Sequence, residues 1–156
     1  MSTRMLWFTT LMLAAMGMSM GAAHVLELPA KMRYDAQMYV AINRTLYPFF
    51  AIVGGTVQVV AILAALWLVV RLRAERIFST TLLGWLCLLG SLVLWFVLVQ
   101  PVNTEWSHLS QSAPEAMTAA YARLRNRWEF GHVAAFAVWL LGVGTLVYAA
   151  VQDRPD

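Results

Sequence analysis

The sequence predicts an all-α integral membrane protein, folded as one domain that consists of a four-transmembrane-helix bundle with short loops. Hydrophobic residues make up 61% of the 156 residues and charged residues only 12%, whereas a soluble domain usually carries about 25% charged residues. Four apolar runs, at about 5–28, 48–70, 80–99 and 130–151, each hold roughly 20 residues or more, which is enough to cross a hydrocarbon core as a helix. Helix is the favoured conformation because an isolated strand in lipid would leave its backbone unpaired.

The loops between these runs predict how the helices cross the membrane. The connection between the second and third runs is short and holds three arginines, so we expect it on the cytoplasmic side together with both termini. Arg4 and the small residues at 21–23 also resemble a secretory signal, but the length of the first run favours a retained helix. We therefore expect a multi-pass protein of a bacterial-type inner (plasma) membrane.

Two longer connections, 29–47 and 100–129, are predicted to lie at the opposite end of the bundle. Within the second, Ser110–Glu115 predicts a surface turn. Met117–Arg127 predicts a short amphipathic helix that lies at the interface before the fourth span. The tyrosines of the first connection are predicted to be anchors at the membrane boundary.

Polar residues from all four helices converge on that end of the bundle. The residues concerned are His24, Glu27, Gln58, Asn103, Glu129 and His132. His24 shares one helical stripe with Gly17 and Gly21, and such small residues let another helix approach closely. His24 is therefore expected to face a partner helix, while Gln58 should lie roughly 15 Å deep in its own helix.

The spacing of histidine and glutamate predicts a metal site. His24 and Glu27 stand at i and i+3, as do Glu129 and His132, and side chains at that spacing meet on a helix surface. Glu-x-x-His is also the helical motif of carboxylate-bridged dimetal bundles. Two such pairs on facing helices would supply two nitrogen and two oxygen ligands, a set that suits iron, copper, manganese or zinc.

Other interpretations of the same residues stay open. The four side chains could instead form structural pairs, such as His24 with Glu129 or Glu27 with Arg127, that tie helix ends together. His24 and His132 could be axial ligands of a haem. In a cofactor-free enzyme, His132 or Glu129 would act as a general base on an acidic phenol or a related substrate.

Three segments resemble the anthrone-oxygenase-like family of small membrane proteins. They are Gly21–Pro29 at the end of helix one, Pro101–Asn103 at the end of helix three and Arg127–His132 at the start of helix four. The resemblance spans nearly the whole chain and implies a four-helix membrane protein. Some members are assigned to the oxygenation of polyketide anthrones to quinones, although most have no established activity. Asn103, Trp128 and His132 are the positions that carry over most directly.

Together these observations predict a metal-dependent oxidoreductase or oxygenase that acts on a small lipophilic substrate at one end of the bundle. Asn103 and Gln58 would orient the substrate or oxygen, and Arg127 is expected to pair inward. A haem-binding subunit or a non-catalytic subunit of a larger membrane complex is the alternative. The expected partners are the lipid bilayer, the substrate and a further copy of the chain or a larger complex, with no role for nucleic acid.

Overall fold

The computed structural model describes residues 2–109 and 114–153, and every regular element in these ranges is helical. Four continuous spans are long and apolar enough to cross a membrane, which confirms the predicted all-α bundle and indicates a membrane protein. These first to fourth spans are Thr3–Lys31, Tyr47–Arg71, Phe78–His108 and Ala119–Gln152. The elements are α1 (Thr3–Lys31), α2 (Ala36–Thr45), α3 (Tyr47–Phe49), a π-helical segment (Phe50–Gly54), α4 (Gly55–Arg71), α5 (Phe78–Leu98), α6 (Gln100–Leu109) and α7 (Pro114–Gln152).

Both connections at the polar end contain more helix than the sequence predicted. The first connection folds into α2, whose N-terminus is capped by Asp35: the carboxylate accepts a hydrogen bond from the Met38 amide at 2.8 Å. Such a cap satisfies one of the backbone amides that a helix start leaves without a partner. The third span also continues past Val99 into α6. Pro101 does not interrupt the helix there, because it lies in the first turn of α6, where no amide hydrogen is needed.

The fourth span differs most from its prediction. One helix, α7, begins at Pro114 and runs without a break to Gln152, so the interfacial helix expected at Met117–Arg127 is the first part of the span itself. The turn predicted at Ser110–Glu115 falls largely on 110–113, outside the described residues. Before the apolar run at 130–151, exposed residues of α7 such as Arg123 and Arg127 alternate with buried Leu124 and Trp128. The amphipathic pattern and the apolar pattern of the fourth span thus belong to one helix.

The four spans form a ring in which α1 packs on α4 and α7, and α5 packs on the same two helices. Small residues allow the close approaches. A Cβ added to Gly17 would lie 2.7 Å from Trp139, and one added to Gly21 would lie 2.7 Å from Phe136. The Trp139 indole also donates a 2.9 Å hydrogen bond to the carbonyl oxygen of Ala14. The glycine stripe of α1 thus packs against α7 within the chain.

The bundle has a different core at each end. The first core extends from the end that holds both termini and the 72–77 connection to mid-bundle residues such as Leu88 and Trp139. At that end the Trp7 indole donates a 2.7 Å hydrogen bond to Asp153. The second core, at the polar end, contains Tyr47, Val99, Val102, Leu124 and Trp128. Large apolar side chains such as Phe8, Leu63 and Leu141 point outward, as lipid contact requires.

Candidate functional site

An ion pair buried at the polar end joins the first and fourth spans. The Lys31 ammonium lies 3.3 Å from Glu27 Oε2 and 3.4 Å from Glu129 Oε1. The Lys31 and Glu129 side chains are 3% and 0% exposed, whereas the Glu27 side chain is 42% exposed. Lys31 also lies over the rings of Tyr47 and Trp128, at 4.1 and 4.8 Å from their centroids. These rings add cation–π contacts to the stabilisation of the ammonium.

Two tyrosines extend this arrangement. The Tyr39 hydroxyl donates a 2.9 Å hydrogen bond to Glu129 Oε1, and the Tyr47 hydroxyl donates to Glu27 Oε2. Burial, and then the negative charge of Glu129, raise the pKa of Tyr39, so its phenol stays protonated and remains a donor. We call Lys31, Glu27, Glu129, Tyr39 and Tyr47 the ion-paired cluster.

The two histidine rings contact each other at an interplanar angle of 33° beside this cluster. Their ring centroids are 4.1 Å apart, and the His24 ring also stacks on Tyr47 at 5.0 Å. His132 is held at both nitrogens: Nδ1 is 2.9 Å from the Trp128 carbonyl oxygen, and Nε2 accepts a hydrogen bond from the Trp95 indole at 3.3 Å.

His24 Nδ1 is buried and has no hydrogen-bond partner among the described residues. Five other buried side-chain atoms also lack a hydrogen-bond partner among the described residues, among them Lys31 Nζ and Glu129 Oε2, but of the six residues only His24 lines the cavity described next. His24 therefore retains hydrogen-bonding capacity for a ligand in that cavity.

A cavity of about 590 Å³ opens next to the histidines. Its wall is mostly aromatic and aliphatic, with contributions from all four spans and from α2. The polar groups that line it include His24, His132, Gln58, Ser91, Asn43 and Asn103. A largely apolar cavity with a few polar groups is the usual form of a small-molecule site.

The predicted four-ligand metal site does not form in this arrangement. In residues 2–109 and 114–153, no group of three or more His, Cys, Asp and Glu side chains is placed to hold a metal ion. Glu27 and Glu129 do share a cation, but that cation is the Lys31 ammonium. Because His132 is already engaged at both nitrogens, the predicted set does not fit iron, copper, manganese or zinc.

A haem held between the two histidines does not fit either. Axial imidazoles lie on opposite faces of a porphyrin, so the macrocycle has to pass between them. Ring centroids 4.1 Å apart leave no room for that plane.

The three predicted catalytic residues have different positions. Gln58 lines the cavity, as expected from its depth. Asn103 also lines the cavity, and its Oδ1 accepts a 2.9 Å hydrogen bond from the Trp128 indole. This bond fixes the Trp128 ring, which contacts the His24 ring. Arg127 is exposed, so the expected inward pairing of Arg127 is not seen. Arg125, two residues earlier, turns inward and donates to the Met32 carbonyl oxygen at 3.2 Å.

Sequence reasoning missed Lys31, Tyr39 and Tyr47 as parts of the site. One signal was available: Glu27 and Lys31 stand at i and i+4, which places a carboxylate and an ammonium side by side on a helix. No comparable pattern marks Tyr39 or Tyr47, whose neighbours in space come from other helices.

The fold and the site define a membrane-embedded helical bundle with a ligand-sized cavity beside a histidine pair. Comparison of the chain with protein-family models, with curated proteins and with solved structures finds no match.

Proposed function

We propose that this protein is a membrane-embedded oxidoreductase of the oxygenase type, in which His24 removes a proton from a small lipophilic aromatic substrate held in the cavity. The observation that carries the proposal is the position of His24 in the cavity wall with Nδ1 unpaired. Histidine is the side chain that most often serves as a general base. Aromatic residues around the cavity, among them Tyr47, Trp95 and Trp139, favour a flat aromatic ligand.

The base is assigned to His24 rather than to Glu129 or His132. Glu129 does not line the cavity, and it is paired with Lys31 and Tyr39. His132 lines the cavity, but the backbone of Trp128 and the indole of Trp95 hold its ring. His132 would therefore position His24 through their ring contact and leave the proton transfer to it.

The proposed reaction oxidises an activated methylene group with dioxygen as the co-reactant. His24 takes one proton from the methylene carbon, and the resulting carbanion transfers electrons to dioxygen as a carbon–oxygen bond forms. Return of the proton gives a hydroperoxide on that carbon. Cleavage of the oxygen–oxygen bond with loss of the second carbon-bound hydrogen leaves a ketone and releases one water. One methylene compound and one dioxygen thus give one ketone and one water.

The test is dioxygen uptake by purified protein in lipid nanodiscs, with anthrone as the probe substrate and labelled dioxygen to trace the ketone oxygen. His24→Gln should lower kcat/KM about 100-fold, since a positioned general base contributes on that order or more. The matched control is His108→Gln, because His108 is exposed and does not line the cavity. Equal activity of the two variants would refute the role of His24.

Removal of metal ions separates this proposal from the metal-dependent one. Activity should survive complete chelation, because the proposed step uses only His24 and dioxygen. Loss of activity on chelation, followed by recovery with one particular metal, would replace this mechanism with a metal-dependent one. Saturable ligand binding without any dioxygen uptake would instead indicate a non-catalytic binding protein.

We also propose the orientation and surroundings of the protein. The dense arginines at Arg71–Arg76 favour a cytoplasmic location for that connection and both termini, in a bacterial-type inner membrane. The cavity would then lie toward the outer side of that membrane. Assembly with a second copy or a larger complex would use faces other than the Gly17–Gly21 stripe, which α7 covers.

A further inference from the structure

Among the described residues, the exposed part of the cavity wall lies on one side of the bundle. Six of the residues that line the cavity are exposed on the surface of the protein: Arg44, Pro48, Ala51, Val59, Phe96 and Ser107. All six belong to the end of α2, the second span or the third span. The lining residues contributed by α1 and α7 are buried or half-buried without exception. The opening therefore lies between the second and third spans, which we call the lateral slot.

The lateral slot extends to membrane depth. Val59 lies eleven residues inside the apolar run that begins at 48, and Phe96 lies three residues inside the run that ends at 99. At about 1.5 Å per residue, Val59 is roughly 16 Å and Phe96 roughly 5 Å inside the boundary that these runs mark. They are 44% and 56% exposed. The lower part of the slot thus faces hydrocarbon, not water.

One face of the slot is a single stripe of the second span. Pro48, Ala51, Gly55 and Val59 recur at helical spacing and all line the cavity. Gly55 leaves a gap in this stripe, because a Cβ added there would meet no atom within 4 Å. Its neighbour Gly54 differs, since a Cβ there would lie 3.3 Å from Met20 on α1. Gly54 serves helix packing, whereas Gly55 leaves open space. The adjoining π-helical segment fits a functional opening, since such turns are frequent at functional sites.

A cation marks the polar end of the slot. Arg44 lines the cavity and is exposed, and no carboxylate in the described part of the chain pairs with it. The slot therefore runs from an arginine at headgroup level to an apolar floor at Val59 and Phe96. A ligand that matches both ends carries an anionic head on a flat apolar body.

We propose that the ligand is an aromatic amphiphile with one carboxylate or similar anion, which reaches the cavity from the bilayer through the lateral slot and is held at its head by Arg44. This inference rests on the proposed function, because it names the class of substrate for the same cavity. It adds the route of access past Gly55 and the residue that selects the charge.

The route is tested with Gly55→Phe, which fills the slot. The matched control is Gly144→Phe, because a Cβ at Gly144 also meets no atom within 4 Å and this residue faces outward on α7, away from the cavity. The probe is 1-pyrenecarboxylate in phosphatidylcholine nanodiscs, followed by energy transfer from tryptophan in a stopped-flow instrument. Gly55→Phe should slow association by about tenfold, within the range that mutants of one site usually span, and Gly144→Phe should leave it unchanged. Equal rates in both variants overturn the route. Val59→Trp, on the same stripe, repeats the test if Gly55→Phe does not fold.

The role of Arg44 is tested by comparing 1-pyrenecarboxylate with the neutral 1-pyrenecarboxamide, which has nearly the same shape. Arg44→Gln should weaken carboxylate binding about fivefold, as expected for a partly exposed ion pair, and should leave amide binding unchanged. An equal effect on both probes overturns the anionic head. Displacement of the probe by phosphatidylglycerol would make a lipid headgroup the occupant and would overturn the aromatic class.

Failure of this inference is distinguishable from failure of the proposed function. The pyrene probes carry no oxidisable methylene group, so their binding is measured without turnover. Binding that depends on Gly55 and Arg44 in a protein without dioxygen uptake overturns only the proposed reaction. Dioxygen uptake that Gly55→Phe leaves unchanged overturns only the lateral slot.

Discussion

Replacement of Lys31 by methionine should destabilise the protein far more than loss of an exposed ion pair. Lys31 is the only cation within ion-pair distance of Glu129 among the described residues, at 3.4 Å, and the Glu129 side chain is fully buried. Methionine nearly matches the length of the lysine side chain but carries no charge. The substitution therefore leaves a buried carboxylate with Tyr39 as its remaining hydrogen-bond donor.

The magnitude follows from the burial of the two carboxylates. Removing one partner of a buried ion pair usually costs about 3–5 kcal/mol, because the remaining charge stays desolvated. Glu27 adds under about 1 kcal/mol, since its side chain is 42% exposed and water compensates for the lost partner. For a domain of this size, roughly 2–4 °C of Tm corresponds to 1 kcal/mol. Lys31→Met should therefore cost about 3–6 kcal/mol in total and lower Tm by roughly 6–24 °C.

Tryptophan fluorescence during thermal unfolding in one detergent provides the assay. The matched control is Arg123→Met, which breaks an exposed ion pair with Glu105 at 2.5 Å and should leave Tm within error. The double variant Lys31→Met/Glu129→Gln should regain at least half of the lost stability, because it removes the unpaired charge while an amide oxygen still accepts from Tyr39. The reasoning is refuted if Lys31→Met behaves like Arg123→Met, or if the double variant is no more stable than the single one.

The remaining predictions concern helix packing, the cavity wall and metal ions. Gly21→Leu should destabilise by about 1–3 kcal/mol, since its side chain would overlap Phe136; Gly144→Leu is the control, and equal Tm values would contradict the packing. Asn103→Leu should cost about 1–3 kcal/mol, because the Trp128 indole loses its acceptor; unchanged tryptophan fluorescence and Tm would count against that hydrogen bond. Chelation should leave Tm unchanged, because the ion-paired cluster is closed by Lys31; a fall in Tm that one metal reverses would require a metal at this site.

Much of the fold was predictable because lipid imposes strict requirements on the chain. A segment of roughly 20 apolar residues has to be helical in a bilayer, so the four spans were evident from composition alone. Their ends were not evident. Apolar patterning stops at the membrane boundary, while α6 and the first part of α7 extend beyond it as polar helix. Helix α2 was missed because its Asp35 cap was not recognised.

The candidate site was predictable as a location but not as a set of contacts. His24, Glu27, Glu129 and His132 were expected to meet at one end of the bundle, and they do meet there. Their contacts differ from the expected ligand set, in which the i, i+3 pairs would bind one metal together. Glu27 and Glu129 each contact Lys31 and a tyrosine hydroxyl. The rings of His24 and His132 contact each other.

The sequence by itself determined that this protein is a membrane bundle of four helices with its polar residues at one end. That follows from local composition and helical spacing, which depend only on neighbours along the chain. Only the tertiary structure decided that Lys31 lies between two carboxylates, that His24 retains an unpaired nitrogen, and that the cavity opens between the second and third spans. Those features depend on how each helix is rotated toward its neighbours, and that rotation is set by close packing at residues such as Gly21 against Phe136.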